Sequence, residues 1–310
     1  MSVGDRAARV AGGPATPGAG ASPAPRRDGA ATLVLQISDT HFGTERPPVV
    51  EALVRLAAAL RPDVLVLSGD VTQRATAAQF RAARAFVDRL AVPQWLVIPG
   101  NHDIPLFNLA LRVLAPYARF RRAFGPALEG VIDRPGLLLV ALNTTRWWRH
   151  VDGSVSAAQV AAVARRLAAA RPGQWRVVVT HQPVAVTRAQ DRHDLLHGRR
   201  EALRCWREAG ADLVLGGHIH LPFLTPLDDP ATPGPARPMW ALQAGTAVSR
   251  RTRPPAVENS VNLLRCGPAG VGLPDDVLRA CEVERWDYRP DRGEFERVEA
   301  QHLLRRRDDA

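Results

Sequence analysis

The chain has 310 residues, 46% of them hydrophobic and 23% charged, an ordinary globular balance that excludes a wholly disordered chain and is ample for a sizeable core. Its net charge of +10 comes from 41 basic residues, all arginine. They are scattered in short clusters, which reads as solvated surface charge and makes nucleic acid an unexpected partner.

Residues 1–31 contain 19 Ala, Gly or Pro and almost no large apolar side chains. Such a segment cannot bury enough surface to offset its ordering entropy, so a disordered tail is expected ahead of one domain over 32–310. Arg26-Arg27 before an apolar stretch has the outline of a twin-arginine export signal, but that stretch, 33–37, reads as a core strand. No secretory h-region follows the start. No apolar run reaches the roughly 18 residues of a membrane span. A cytoplasmic location is expected.

The run at 33–37 is the first of six. The others are 64–67, 95–98, 137–140, 176–179 and 213–215. Nearly continuous apolar runs of this length suit strands buried on both faces. Between them, Phe80, Ala83, Val87 and Leu90 share one helical face. Ser156 and Gln159 have capping-box spacing ahead of Val160, Val163 and Leu167, and a further face runs over 195–206. Strand alternating with helix indicates an α/β layered fold. Beyond Gly217 the runs 239–244, 261–264, 282–287 and 295–301 read as strands without intervening helices, hence a second sheet or an antiparallel edge. The stretch 228–238 reads as a loop. Cys205, Cys266 and Cys281 are too widely spaced for a disulfide framework or a zinc knuckle and read as idle thiols.

Five of the six runs end in polar residues. Asp39 and His41 follow the first, Asp70 the second, and Asn101, His102 and Asp103 the third. His181 follows the fifth, and His218 and His220 the sixth. Ligands of open α/β sheets bind beyond the carboxyl ends of the strands, so these side chains are expected on one rim. Imidazole, carboxylate and amide oxygen are ligands for divalent metals, and a carboxylate such as Asp70 can bridge two cations. Asp39 and His41 are two apart, as are His218 and His220, so an extended backbone would point each pair to one side. Any one pair arises by chance in many chains, whereas five strand ends together do not.

Asp39-x-His41, Gly69-Asp70, Gly100-Asn101-His102-Asp103, His181 and Gly217-His218-x-His220, in that order, resemble the calcineurin-like metallophosphoesterase superfamily. The stretches 37–43 and 67–73 are similar, more narrowly, to bacterial class III 3′,5′-cyclic-nucleotide phosphodiesterases. The resemblance implies a four-layer α/β/β/α sandwich and a phosphodiester hydrolase with two divalent or trivalent metal ions (Fe, Mn or Zn). By the same resemblance, Asp39, His41 and His220 hold one metal. Asn101, His181 and His218 hold the other, and Asp70 bridges. His102 is catalytic and faces the phosphate, and a metal-bridging hydroxide attacks it. The substrate would be a small anionic phosphodiester such as cyclic AMP. The other readings are a glycerophosphodiesterase, a nucleotide-sugar-lipid hydrolase, a nuclease or a phosphatase, and lastly a non-catalytic binding module of the same fold. The acidic residue that orients the substrate-facing histidine in the protein phosphatase branch is missing after Asp70, which leaves the partner of His102 open, with Asp103 as one candidate.

Other residues carry two readings each. Asn143, after the fourth run, is either a substrate-binding residue at the rim or a turn residue. His193 and His197, with Asp191 and Asp194, form either a solvated helix start or a loop over the rim that binds substrate or metal. Trp147 and Trp148 either stack a base or pack. His150 and His302 read as surface residues, and Cys205 has no partner that would make it a nucleophile. The sequence specifies no oligomeric state.

Overall fold

The computed structural model describes residues 31–149, 151–227, 238–253, 258–268 and 276–306. The tail over 1–30, most of the 228–238 loop and His150 lie outside the described residues. No helix among the described residues is long and apolar enough to cross a membrane.

Strands β1 (Thr32–Ile37), β2 (Val64–Leu67) and β3 (Gln94–Val97) lie side by side in parallel. The first two are buried along their whole length, as their unbroken apolar sequence requires. The antiparallel strands β10 (Ser260–Pro268), β11 (Val277–Arg289) and β12 (Glu294–Arg306) extend this sheet beyond β1, in the order β12-β11-β10-β1-β2-β3. The antiparallel edge expected from the sequence therefore belongs to the first sheet.

The second sheet holds β4 (Gly130–Arg134), β5 (Leu137–Ala141), β6 (Trp175–Val179), β7 (Leu213–Gly216), β8 (Phe223–Pro226) and β9 (Trp240–Gln243), in the order β4-β5-β6-β7-β9-β8. The run at 239–244 joins it in parallel beside β7 and does not pair with the other late strands.

Helices α1 (Pro47–Leu60) and α2 (Ala77–Arg89) cover the outer face of the first sheet through Leu53, Phe80, Phe86 and neighbours. The short helices α3 (Leu109–Leu114) and α4 (Ala118–Phe124) follow β3, and Phe120 and Phe124 of α4 join the same core. Helices α5 (Ala157–Ala168) and α6 (Arg199–Glu208) cover the second sheet through Val163, Leu167 and Trp206. The inner faces meet in a third core containing Val34, Val66, Leu139, Trp175 and Leu215. The result is the four-layer α/β/β/α sandwich. Ser156 and Gln159 form the expected capping box. Of the stretch 195–206, only the part from Arg199 onward is helical, as α6, and it follows a 3-10 turn over Ala189–Asp194.

At the start of β7, Asp212 is fully buried between Arg305 (2.7 Å) and Arg279 (3.3 Å). These arginines come from β12 and β11, so the cluster ties one sheet to the other. The two distant cysteines are brought together by register: Cys266 and Cys281 face each other across β10 and β11, free and buried, with sulfurs 2.9 Å apart.

Candidate metal centre

Asp39 and His41 follow β1, Asp70 follows β2, His181 follows β6, and His218 and His220 follow β7. Sandwich geometry places the ends of both sheets against each other here. Two groups of potential ligand atoms result, each within 4.8 Å: Asp39, His41, Asp70 and His220, and Asp70, His181 and His218. Asp70 belongs to both. Asn101, in the 3-10 turn Asn101–Asp103 after β3, places Oδ1 3.2 Å from Nε2 of His181.

The way the paired residues reach the centre differs from the expectation. Asp39 (φ 53°), His41 (φ 41°), Asp70 (φ 48°), His218 (φ 76°) and His220 (φ 56°) all occupy the left-handed region and are not extended. A non-glycine residue there costs roughly 1–2 kcal/mol. Strain of this kind collects where function requires a side chain in one place. Close approach also dictates glycine: a Cβ on Gly69 would run into the His181 ring, and one on Gly217 would meet Ser38 and the Asp39 carboxylate.

Backbone groups fix the orientation of the side chains. His181 Nδ1 lies 2.8 Å from the Ser68 carbonyl, and His220 Nδ1 lies 2.5 Å from that of Arg251. Each Nδ1–H donates to its carbonyl, which turns Nε2 inward. The amide of His102 donates to Asp70 Oδ1 and that of His218 to Asp39 Oδ2, both at 2.9 Å.

The remaining lone pairs converge. Nε2 of His41 and Nε2 of His220 are 3.0 Å apart, with Asp39 Oδ1 3.8 and 3.3 Å from them. Asp39 Oδ1 and His218 Nδ1 are buried without a hydrogen-bond partner. Electron pairs packed so closely require a proton or a cation between them, so the donor set fits divalent metals.

Protons take the role of counter-charge in the metal-free protein. Burial is the largest single influence on His181 and would lower it, but the Asp70 and Asp39 carboxylates and the Ser68 carbonyl together outweigh burial and lift it to about 9. Burial dominates at His41 and depresses it to about 3. Burial opposes the anions of Asp39 and Asp70; the neighbouring histidines prevail, holding Asp39 at about 2 and Asp70 well below the usual range.

Asp103 is not the partner of His102. Its carboxylate accepts from the amides of Gly100, Val71 and Thr72 and from the Thr72 hydroxyl, at 2.8–3.0 Å, and so splices the Asp70 turn to the Asn101 turn. Burial and the Asp70 charge push it up to about 7, although four donors favour its anion. Nδ1 of His102 instead lies 3.0 Å from the carbonyl oxygen of Gln73.

Three further residues approach the centre, of which Arg251 and Thr246 were not expected there. Asp194 Oδ1 is 3.5 Å from Nε2 of His218. The guanidinium of Arg251 lies 3.0 Å from Nε2 of His102. The Thr246 hydroxyl donates to the Asp39 carbonyl at 2.6 Å. The available signal was a sixth polar strand end, Gly245 to Arg251 after β9. A cleft of about 510 Å³, lined in part by Gln190, Asp194, His218, His220 and Arg251, opens on the ligands. Of the two readings for 191–197, the loop over the rim describes Asp194, while His193 and His197 are exposed. Asn143 Oδ1 accepts from the amide and hydroxyl of Thr145, at 3.0 and 2.7 Å, as a turn residue does. Trp147 and Trp148 are exposed and meet edge to face.

Residues 32–222 match the calcineurin-like phosphoesterase family. The chain belongs to that family. It is 27% identical over 205 residues to a cAMP/cGMP dual specificity phosphodiesterase of Mycobacterium tuberculosis, covering 61% of each chain. It is 25% identical over 203 residues to a probable cyclic nucleotide phosphodiesterase of Synechococcus, covering 62% of this chain and 74% of the relative. The match thus spans about three fifths of the mycobacterial relative's length. Among solved structures, a purple acid phosphatase from yellow lupin seeds aligns with TM-score 0.64 and 11% identity, over 91% of this chain and 55% of that one. A dimetal phosphatase from Danio rerio aligns with TM-score 0.59 and 14% identity, over 89% and 99%. At these identities the two structures speak to the fold alone.

Proposed function

We propose that the chain is a cytoplasmic hydrolase of phosphodiesters that works with two metal ions (Fe, Mn or Zn) and prefers 3′,5′-cyclic nucleotides. The observation that carries the reading is Asp70, one carboxylate belonging to both groups of ligand atoms. Asp39, His41 and His220 would hold one ion, Asn101, His181 and His218 the other. When bound, such a pair lowers the pKa of water to supply the nucleophile and neutralises charge on the phosphoryl oxygens.

The protein residues have separate tasks. Asp39 and Asp70 supply the negative charge that holds the cations. Ser68 and Arg251 hold their histidines through backbone carbonyls. His102, tethered to Gln73 by Nδ1, presents Nε2 and donates a proton or hydrogen bond as the leaving oxygen gains charge.

The preference for cyclic diesters is supported by the names of the two sequence relatives. The missing acid after Asp70 also separates the chain from the protein phosphatase pattern. The test compares kcat/KM for cyclic AMP, a bis-aryl phosphate diester and an aryl phosphate monoester under one metal condition. Cyclic AMP should exceed the monoester. A monoester that wins moves the chain to the phosphatases. A linear diester that wins by more than about a hundredfold, or roughly 2.7 kcal/mol, makes cyclic nucleotides side substrates.

A further inference from the structure

Arg251 is distinguished from the other arginines near the centre by what it is not paired with. Arg253 is pinned by the buried carboxylate of Asp191 and by the Ile219 carbonyl. Arg46 is occupied by Asn259 and Glu258. Arg251 is half-buried, and no carboxylate lies within ion-pair distance of it among the described residues. Its side-chain contacts include no anion: Nη1 stands 3.1 Å from Gln73 Oε1 and 3.0 Å from His102 Nε2. The Nε and Nη2 donors have no protein partner among the described residues.

A guanidinium is costly to leave half-buried without an anion. Its planar fork matches two oxygens of a phosphoryl group. Its position matches as well. Arg251 lines the cleft that also exposes His218 and His220. Its guanidinium touches the ring of His102, whose centroid lies 4.8 Å from that of His41. Its backbone stays in place because the carbonyl holds His220 and the amide donates to Ser249.

We propose that Arg251 is a substrate-binding residue whose guanidinium takes a non-bridging phosphoryl oxygen, leaving His102 Nε2 free to face the leaving group. The proposal deepens the phosphoester-hydrolase reading and rests on it for the identity of the anion. One residue then serves two purposes. Its carbonyl orients a metal ligand, and its side chain holds the substrate. Diesters and monoesters both carry the oxygen concerned, so Arg251 adds affinity and does not choose between them.

The test uses the metal-loaded full chain and inorganic phosphate as the probe, with binding read by calorimetry. Arg251→Met preserves the backbone contacts and the apolar stem of the side chain, and Arg251→Lys preserves the charge without the fork. Phosphate should bind wild type, bind the Met variant about tenfold or more weakly, and bind the Lys variant with intermediate strength. Elemental analysis should find the same metal content in all three. With a bis-aryl phosphate diester, KM should rise by a larger factor than kcat falls. Equal phosphate affinity in wild type and the Met variant, or no phosphate binding by wild type, overturns the proposal. Loss of metal in the Met variant overturns it too, since the side chain would then be structural. Binding is measured without turnover. A wild type that binds phosphate through Arg251 and hydrolyses no phosphoester leaves this inference standing and removes the hydrolase reading.

Discussion

Nδ1 of His102 lies 3.0 Å from the carbonyl oxygen of Gln73, a backbone group that no substitution of residue 73 other than by distortion can remove. In this chain His102, the histidine proposed to face the substrate, is oriented by the main chain and not by a carboxylate. The absent acid after Asp70 is therefore no defect of the site. His102→Ala should keep both metals and lose about 10²–10⁴ in kcat on a diester with a poor leaving group, the range typical of general acid catalysis. The loss should shrink for an activated aryl leaving group. Metal loss in the variant, or normal turnover of an unactivated diester, contradicts the role.

Asp70 is shared by the two ligand groups, so its removal should disturb both sites at once. Wild type should contain two metal ions per chain by elemental analysis. Asp70→Ala should lower activity more than any other single ligand change, by about a thousandfold or more if several kcal/mol of charge stabilisation disappear. Active protein with one ion or none refutes the dinuclear reading.

The proton on His181 sets a pH dependence for metal uptake. His181 is lifted to about 9 in the metal-free protein, so at pH 7 it carries a proton that the cation must displace. His41, near 3, carries none. Apparent affinity at the His181 site should thus rise about tenfold per pH unit and level off above about pH 9. Calorimetric titrations in two buffers of different ionisation enthalpy should show one more proton released there than at the site of His41. Identical heats in both buffers would refute the assignment.

Asp212 offers a contrast away from the centre. It joins two arginines of one sheet to a strand of the other, wholly buried. Asp212→Ala leaves those cations without their shared anion and should cost about 3–5 kcal/mol of stability, read as a lower denaturant midpoint. The metal content of the folded fraction should be unaltered. A loss below about 1 kcal/mol would mean the arginines find other partners.

Legibility in the sequence followed the physics of each signal. The buried strands and the capped helix α5 were plain because unbroken apolar runs and a Ser156–Gln159 box have few other meanings. Helix α1 was not, since Pro47-Pro48 reads as a breaker although proline suits the first helical positions. The donor residues at the strand ends were legible as residue types. Their left-handed backbone was not, because period-two reasoning presumes an extended chain. Asp194, Arg251 and the Gln73 carbonyl are contacts between segments distant in sequence, and one is a backbone group that every residue possesses. The pairing of Cys266 with Cys281 likewise comes from register, which spacing alone does not reveal.

The five left-handed residues around the centre also bear on how such a chain drifts. Asp39, His41, Asp70, His218 and His220 each hold a conformation that glycine adopts freely. A library selected for thermal stability alone, with no demand for turnover, should accumulate glycine or asparagine at these positions ahead of alanine. His41→Gly should be more stable than His41→Ala by roughly 1 kcal/mol. At these five positions, any stability gained by relieving the backbone removes a ligand atom from the centre.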